Sequence, residues 1–282
     1  MTQARDVPLD SHLHTDLSPD SNVPIDVYAA QALERGIAEI AITDHVDFDH
    51  RDPAYHFSSF EDRERIVRQA AERWAGRGVA IRFGVELTYN RAWEDEIRAH
   101  LAQHTYDFTI GSIHDWPGSP YRDRPGLATW VSGRSDAEVV GPYVAEVLGA
   151  AQSGLFDAIG HLDVVKRYVH HHVPTARLAA APELYEPVLR ALVESGTALE
   201  VNTSGLRQGP GETYPAAPVI ALFRDLGGTA VTAGSDAHRA ETFAFGLAEG
   251  YRLLAQAGFE ELAFRRGAGR VAVALPGGRE WS

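Results

Sequence analysis

The sequence has no cysteine among its 282 residues. Disulfides, thiolate metal sites and cysteine nucleophiles are therefore excluded together, and any metal must be held by nitrogen and oxygen. Positive charge is also scarce: 26 Lys and Arg stand against 39 Asp and Glu, a formal net charge of −13. A surface that tracks nucleic-acid phosphates or anionic membranes is normally built from excess Lys and Arg, so neither partner is expected. No apolar run approaches the roughly 20 residues that span a bilayer. The opening stretch MTQARDVPLDSHLH has neither the apolar segment nor the small-residue cleavage site of a secretory signal, so a cytoplasmic location is expected. There is no low-complexity linker and no repeat, which suggests one domain over residues 1 to 282.

What the chain does have is alternation. Short, β-branched apolar runs occur at residues 7 to 14, 39 to 45, 79 to 87, 107 to 114, 156 to 165, 197 to 205 and 229 to 238. Each is continuous rather than alternating, the pattern of a strand buried on both faces of a parallel sheet. Helical segments with start and stop signals lie between them. Pro24 opens one that ends at Gly36, Ser59 caps EDRERIVRQAAERWAG, and Ser135 with Glu138 makes a capping box. Pro182 and Pro218 open two more, closing near Gly196 and Gly227. Repeated β-then-α order predicts an α/β fold with a parallel sheet, open or closed into a barrel. Six of the seven runs finish in polar, metal-capable residues. Closed (β/α) barrels build their site from all their strand ends, whereas open sheets use one switch point, so a barrel is the better reading. The Gly- and Pro-rich stretch from Trp116 to Arg134 reads as a loop, either a lid over the site or a passive surface segment.

The strand ends carry the chemistry. His12 and His14, two apart on a strand, point the same way and can share one ion. To this pair are added Asp44 and His45, Glu86, His114 and Asp115, His161 and Asp163, and Asp236 and His238. Thirteen histidines in a chain without cysteine, several of them at these ends, point to a nitrogen-and-oxygen metal centre.

Taken in order from residue 12 to residue 238, HLHTDLSPDS, ITDH, FGVE, GSIH, IGHLD and GSDAH resemble the polymerase-and-histidinol-phosphatase (PHP) superfamily of metal-dependent phosphoesterases. The opening HLHTDLSPD, the VKRY after IGHLD, and EVNTSGLR resemble its histidinol-phosphate phosphatase branch. The resemblance implies a distorted seven-stranded (β/α) barrel of the TIM-like type, with two to three divalent ions at its C-terminal face. It implies that His12, His14, Glu86 and Asp236 hold a first ion. Glu86 would bridge to a second, held also by His114 and His161, and Asp20, His45 and His238 would hold a third. Asp20 stands where some members carry histidine, which would make the third site weaker or suited to a harder ion. Such ligands suit Mn, Fe or Zn alike.

A bridging carboxylate such as Glu86 can set two cations roughly 3.5 to 4 Å apart, where they share a hydroxide and clamp an in-line displacement. Uncatalysed phosphomonoester hydrolysis is so slow that several cations aimed at the phosphoryl oxygens are a natural requirement. Asp236 or His238 is expected to manage the protons. Asp44, Asp115 and Asp163, beside ligands, are candidates to orient imidazoles, with a surface ion pair the alternative for Asp163. Arg207, Arg167 and Lys166 are candidate phosphate contacts, the two arginines preferred. The expected substrate is a small phosphate ester. L-histidinol phosphate, hydrolysed to L-histidinol and phosphate, is the first expectation, and another phosphomonoester, a nucleotide or a nucleic-acid end is the alternative. Trp116 and Tyr89 would wall the pocket or pack. The run His170 to His172 reads as solvent-exposed.

Overall fold

The computed structural model of the chain describes residues 9–114, 116–121, 124–266 and 269–275. In chain order the strands are β1 (Leu9–Leu13), β2 (Glu39–Ile42), β3 (His45–Val46), β4 (Ala80–Thr88), β5 (Phe108–Ser112), β6 (Ala158–Ile159), β7 (Ala198–Asn202), β8 (Val231–Gly234), β9 (Glu261–Arg266) and β10 (Gly269–Ala274). The helices are α1 (Ile25–Arg35), α2 (Phe60–Ala75), α3 (Glu94–Gln103), α4 (Arg124–Val131), α5 (Asp136–Ser153), α6 (Val165–Val169), α7 (Thr175–Ala179), α8 (Glu186–Ser195), α9 (Ala217–Asp225) and α10 (Leu247–Gln256).

Seven parallel strands run in the order β1, β2, β4, β5, β6, β7, β8, with β3 continuing the second strand along β4. The sheet nearly closes on itself. Beyond a single bridge between Leu13 and Ala237, the seam holds through Asp236 N–H to His12 O at 2.9 Å and His14 N–H to Ala237 O at 3.0 Å. Side chains complete it: Ser11 donates to Ala233 O, and the buried Asp10 accepts both Ser235 N–H at 2.9 Å and Ser235 O–H at 2.6 Å.

The helix signals hold in detail. Ser59 Oγ accepts from Asp62 N–H, and Ser135 with Glu138 forms the reciprocal capping box of α5, an arrangement worth about 1 kcal/mol. Gly36 and Gly196 close α1 and α8 in the left-handed conformation that a Cβ disfavours.

Two elements depart from the expected runs. β6 is only two residues, because Gly160 and then His161, at φ 26°, turn the chain aside, and Val165 already belongs to α6. Its apolar residues Leu162, Val164 and Val165 are buried in that turn and helix instead. The segment from Trp116 to Arg134 is not all loop, for it contains α4, and Tyr121 is buried with its hydroxyl on Val139 O. The antiparallel pair β9 and β10 lies beyond the last run read from the sequence. Among the described residues, no helix is long and apolar enough to cross a membrane.

Candidate metal centre and active site

The C-terminal strand ends bring nine side chains to one place. β1 supplies His12 and His14, the turn after it Asp20, β3 His45, and β4 Glu86. The segments leaving β5, β6 and β8 supply His114, His161, and Asp236 with His238. Glu86 is the hub. Its Oε2 stands 3.4 Å from His12 Nε2, 3.4 Å from His14 Nε2 and 2.9 Å from His45 Nδ1, and its Oε1 is 2.9 Å from His161 Nε2 and 3.4 Å from His114 Nε2. Asp236 Oδ1 lies 3.4 Å from His14 Nε2 and 3.9 Å from His12 Nε2. Asp20 Oδ2 is 3.3 Å from His45 Nε2 and 3.1 Å from His238 Nε2. Three sets of donors lie close enough to hold an ion: His12, His14 and Glu86; His45, Glu86 and His114; and His14, Asp20, His45 and His238.

Apart from the 2.9 Å contacts of Glu86 with His45 and His161, most of these separations are long for hydrogen bonds and suit donors gathered around an ion. Donors about 2.1 Å from a tetrahedral ion lie roughly 3.4 Å from one another, the spacing found around Glu86 and Asp236. His12 donates Nδ1–H to Glu200 Oε1 at 2.7 Å, so Nε2 is the nitrogen left for an ion, and it faces His14 Nε2 at 3.1 Å and two carboxylates. Glu86 Oε2 is buried and accepts no well-formed hydrogen bond despite three imidazoles around it. Nitrogen and oxygen donors converge on places that call for positive charge, with no sulfur among them, so the residues fit divalent Mn, Fe or Zn.

The electrostatics agree. Burial alone would push His12 down, but the charges of Glu200, Glu86 and Asp236 carry it well above the usual imidazole range. Burial likewise opposes the shift of His45, yet Glu86 and Asp20 push it up to about 10. Glu86 and Asp236 are held well below the usual carboxylate range despite burial, chiefly by His12 in both cases. His14 goes the other way, lowered by burial and then by the neighbouring His238 and His45. A site built to carry cations holds protons in their absence.

Several supports of this centre were not read from the sequence as site residues. Glu200, buried in β7, takes His12 Nδ1–H on one oxygen and His161 N–H at 2.7 Å on the other, which Asn202 also reaches at 3.2 Å. A glutamate and an asparagine two apart in an otherwise apolar strand, ALEVN, were the available signal. Gly234 makes room for this pair, since a Cβ there would lie 2.3 Å from His12 Cβ and 2.8 Å from Glu200 Oε1. His161 and Asp236 adopt positive φ, 26° and 54°, strain of the kind that a surrounding framework sustains at functional sites. Buried Arg63 holds the carbonyls of Asp44 and His45 at 3.1 and 2.5 Å and so steadies the strand that carries His45.

A cavity of about 400 Å³ opens over the cluster, with Asp20, His45, His114, His161, Asp236 and His238 in its walls. Of the three cations expected to grip phosphate, only Arg167 lines it, exposed and with no hydrogen bond or ion pair to its guanidinium among the described residues. Arg207 instead donates to Ser235 O at 2.7 Å and Asp236 O at 2.6 Å, clasping the turn that carries Asp236. Three of its five N–H groups are left over. Lys166 corrects the expectation made for it. It is fully buried, with Nζ 2.8 Å from Asp163, 2.7 Å from Glu212 and 3.1 Å from Thr213 O, because an ammonium within α6 that faces the interior must be satisfied there. Asp163 is accordingly part of an internal ion group, neither a surface pair nor an imidazole acceptor.

Asp44 serves Thr15, accepting its N–H at 2.6 Å and its O–H at 2.8 Å, rather than an imidazole. Asp115 lies outside the described residues. No described residue between Trp116 and Arg134 lines the cavity, and neither does Tyr89, whose buried hydroxyl donates to Glu94. Pro19 and the 52–54 segment form the rim instead. His170 is half-buried, its ring against Gly209, while His171 and His172 are exposed.

A nearly closed parallel barrel with a His- and carboxylate-rich centre at its C-terminal end defines a metal-dependent hydrolase architecture. The chain belongs to the PHP domain family, whose model matches residues 10–204. It is 31% identical to a probable histidinol-phosphatase of Deinococcus radiodurans, with 91% of this chain and 96% of the relative covered. It is 28% identical to the histidinol-phosphatase of Lactococcus lactis, with 90% and 93% covered. The crystal structure of the Lactococcus lactis histidinol phosphate phosphatase, complexed with zinc, L-histidinol and phosphate, superposes with a TM-score of 0.78 at 25% identity. That match covers 94% of this chain and 98% of the neighbour.

Proposed function

We propose that this protein hydrolyses L-histidinol phosphate to L-histidinol and phosphate. The observation that carries the reading is the Glu86 hub with its five imidazoles beneath an open cavity. The likeness to histidinol-phosphatases over nine-tenths of the chain supports the choice of substrate.

In this reading His12, His14, Glu86 and Asp236 would hold one divalent ion, Glu86, His114 and His161 a second, and Asp20, His45 and His238 a third. Divalent ions held there would lower the pKa of water and supply positive charge to the phosphoryl oxygens. The chain's own residues do the rest. Arg167 takes phosphoryl oxygens from the cavity wall, and its fork matches two of them in parallel. Arg207 keeps Asp236 aimed inward through its bonds to Ser235 O and Asp236 O. Asp236, ionised and facing the cavity, accepts a proton from the attacking water. His238 gives Nδ1–H to Asp236 O at 3.0 Å and would use Nε2 for an ion, so the proton that Asp236 takes from water is the one returned to the leaving oxygen. Water adds to phosphorus, the P–O bond to carbon-bearing oxygen breaks, and that oxygen leaves protonated as L-histidinol.

The test is phosphate release by protein stripped of metal and reloaded separately with Mn, Zn or Fe. L-histidinol phosphate is assayed beside nucleotides, sugar phosphates and single-stranded DNA. Metal-dependent turnover with a strong preference for L-histidinol phosphate is expected. Faster turnover of a nucleotide, a sugar phosphate or single-stranded DNA would overturn the substrate and keep the reaction class.

A further inference from the structure

β3 and β4 are paired in register, His45 beside Glu86 and Val46 beside Leu87. Continued one residue beyond that pairing, the register would bring Asp47 beside Thr88, on the same face as His45 and Glu86. Both are buried, Asp47 7% and Thr88 3% exposed, and both reach the wall of the cavity. Thr88 Oγ1 lies 3.2 Å from His114 Nδ1, and the Asp47 carboxylate is the other polar group that acts on the Thr88 hydroxyl. Asp47 Oδ1 also takes Asp49 N–H at 2.7 Å.

A proton count decides the direction of this chain of bonds. The carboxylate of Asp47 only accepts, and a hydroxyl has one hydrogen to give. The Thr88 hydrogen therefore goes to Asp47, and the Thr88 oxygen accepts from His114 Nδ1–H. That leaves the lone pair of His114 on Nε2, the nitrogen 3.4 Å from Glu86 Oε1. Metal-ligating histidines commonly give their other N–H to a carboxylate, as His12 does to Glu200. At His114 a hydroxyl stands between the two, because the carboxylate sits one strand further away.

We propose that Thr88 and Asp47 are positioning residues that hold His114 as its Nδ1–H tautomer, with Nε2 free for a divalent ion. The inference rests on the metal-centre reading above. It is tested on the full chain, stripped of metal, with Thr88→Val, Thr88→Ser and Asp47→Asn. Zinc binding is followed by calorimetric titration, and the His114 tautomer by nitrogen NMR of the zinc-loaded protein labelled at histidine, the resonance assigned by its loss in His114→Asn.

The wild type is expected to show a protonated Nδ1 on His114. Thr88→Val is expected to weaken one class of zinc site about 10- to 100-fold, the range for loss of such an orienting partner. Thr88→Ser is expected to bind as the wild type does, and Asp47→Asn to fall between. Should Thr88→Val fail to fold, the ordering of Asp47→Asn below Thr88→Ser carries the test. Unchanged zinc affinity and tautomer in Thr88→Val would overturn the proposal, as would equal losses in the valine and serine variants, which would mark a packing role. If the wild type binds no divalent ion, it is the metal-centre reading that fails.

Discussion

His12 and Glu200 are joined at 2.7 Å between two strands that lie on either side of β8, one at the start of the barrel and one near its end. The bond fixes the proton on Nδ1 and turns Nε2 toward Glu86 and Asp236. Because Glu200 also accepts His161 N–H, a single carboxylate sets the orientation of two ligand-bearing segments. Glu200→Gln is therefore expected to cost about 10- to 100-fold in metal affinity, with the far-ultraviolet circular dichroism unchanged. Calorimetric titration with zinc or manganese checks it, and wild-type affinity would refute the role.

Gly234 ties packing to the same pair. A methyl group there would meet His12 Cβ at 2.3 Å, a distance that forces one of the two to move. Gly234→Ala is expected to lose about 1–3 kcal/mol of stability through overpacking and to bind less than the wild-type amount of metal. Denaturant unfolding and metal analysis of the purified protein report the two effects separately.

Metal removal should lower stability. An ion that binds only the folded chain adds about 1.4 kcal/mol for each tenfold excess over its Kd, so the Tm should climb steadily with free zinc or manganese. A Tm indifferent to both ions would count against the centre.

Lys166 and Arg167 are neighbours with opposite expected phenotypes. Lys166→Ala leaves the buried Asp163 and part-buried Glu212 without their cation, an effect of about 3–5 kcal/mol on folding. Arg167→Ala should leave the Tm nearly unchanged and raise KM, or lower kcat/KM, for a phosphate ester. Thermal melts and steady-state kinetics on the two variants separate a structural cation from a substrate contact.

Away from the centre, His100 makes stability depend on pH. Burial, then His104 and Arg63, push it down to about 4 from its ordinary 6.5, and Tyr106 O–H meets its Nε2 at 2.9 Å. A histidine that resists protonation in the fold stabilises above its unfolded pKa, and that stability is lost as pH falls from about 6.5 to about 4. With its partial exposure discounted, the loss is on the order of 1–2 kcal/mol. Denaturant melts between those pH values should show it, and His100→Gln should flatten the dependence.

Local pattern determined a good deal by itself. Seven apolar runs marked all seven barrel strands, because a strand buried on both faces needs an unbroken apolar segment whatever it packs against. Caps such as Ser135 with Glu138 act within four residues and were legible for the same reason. The residues converging on Glu86 were legible because strand ends in a parallel barrel all face one way, so polar residues there share a site wherever the strands fall in the sequence.

The tertiary structure alone decided the rest. Glu200 meets His12 across 188 residues, and no local pattern records which strand closes beside β1. Lys166 and Arg167 were both candidate phosphate contacts in the sequence, yet the step of about 100° between neighbours on α6 buries the first among carboxylates and leaves the second on the cavity wall. Asp44 was a candidate to orient a histidine and the fold gives it to Thr15 instead, while Asp47, no candidate in the sequence, lies buried near Thr88. Each of these roles depends on which partner arrives from a distant strand, and that is fixed only when the barrel closes.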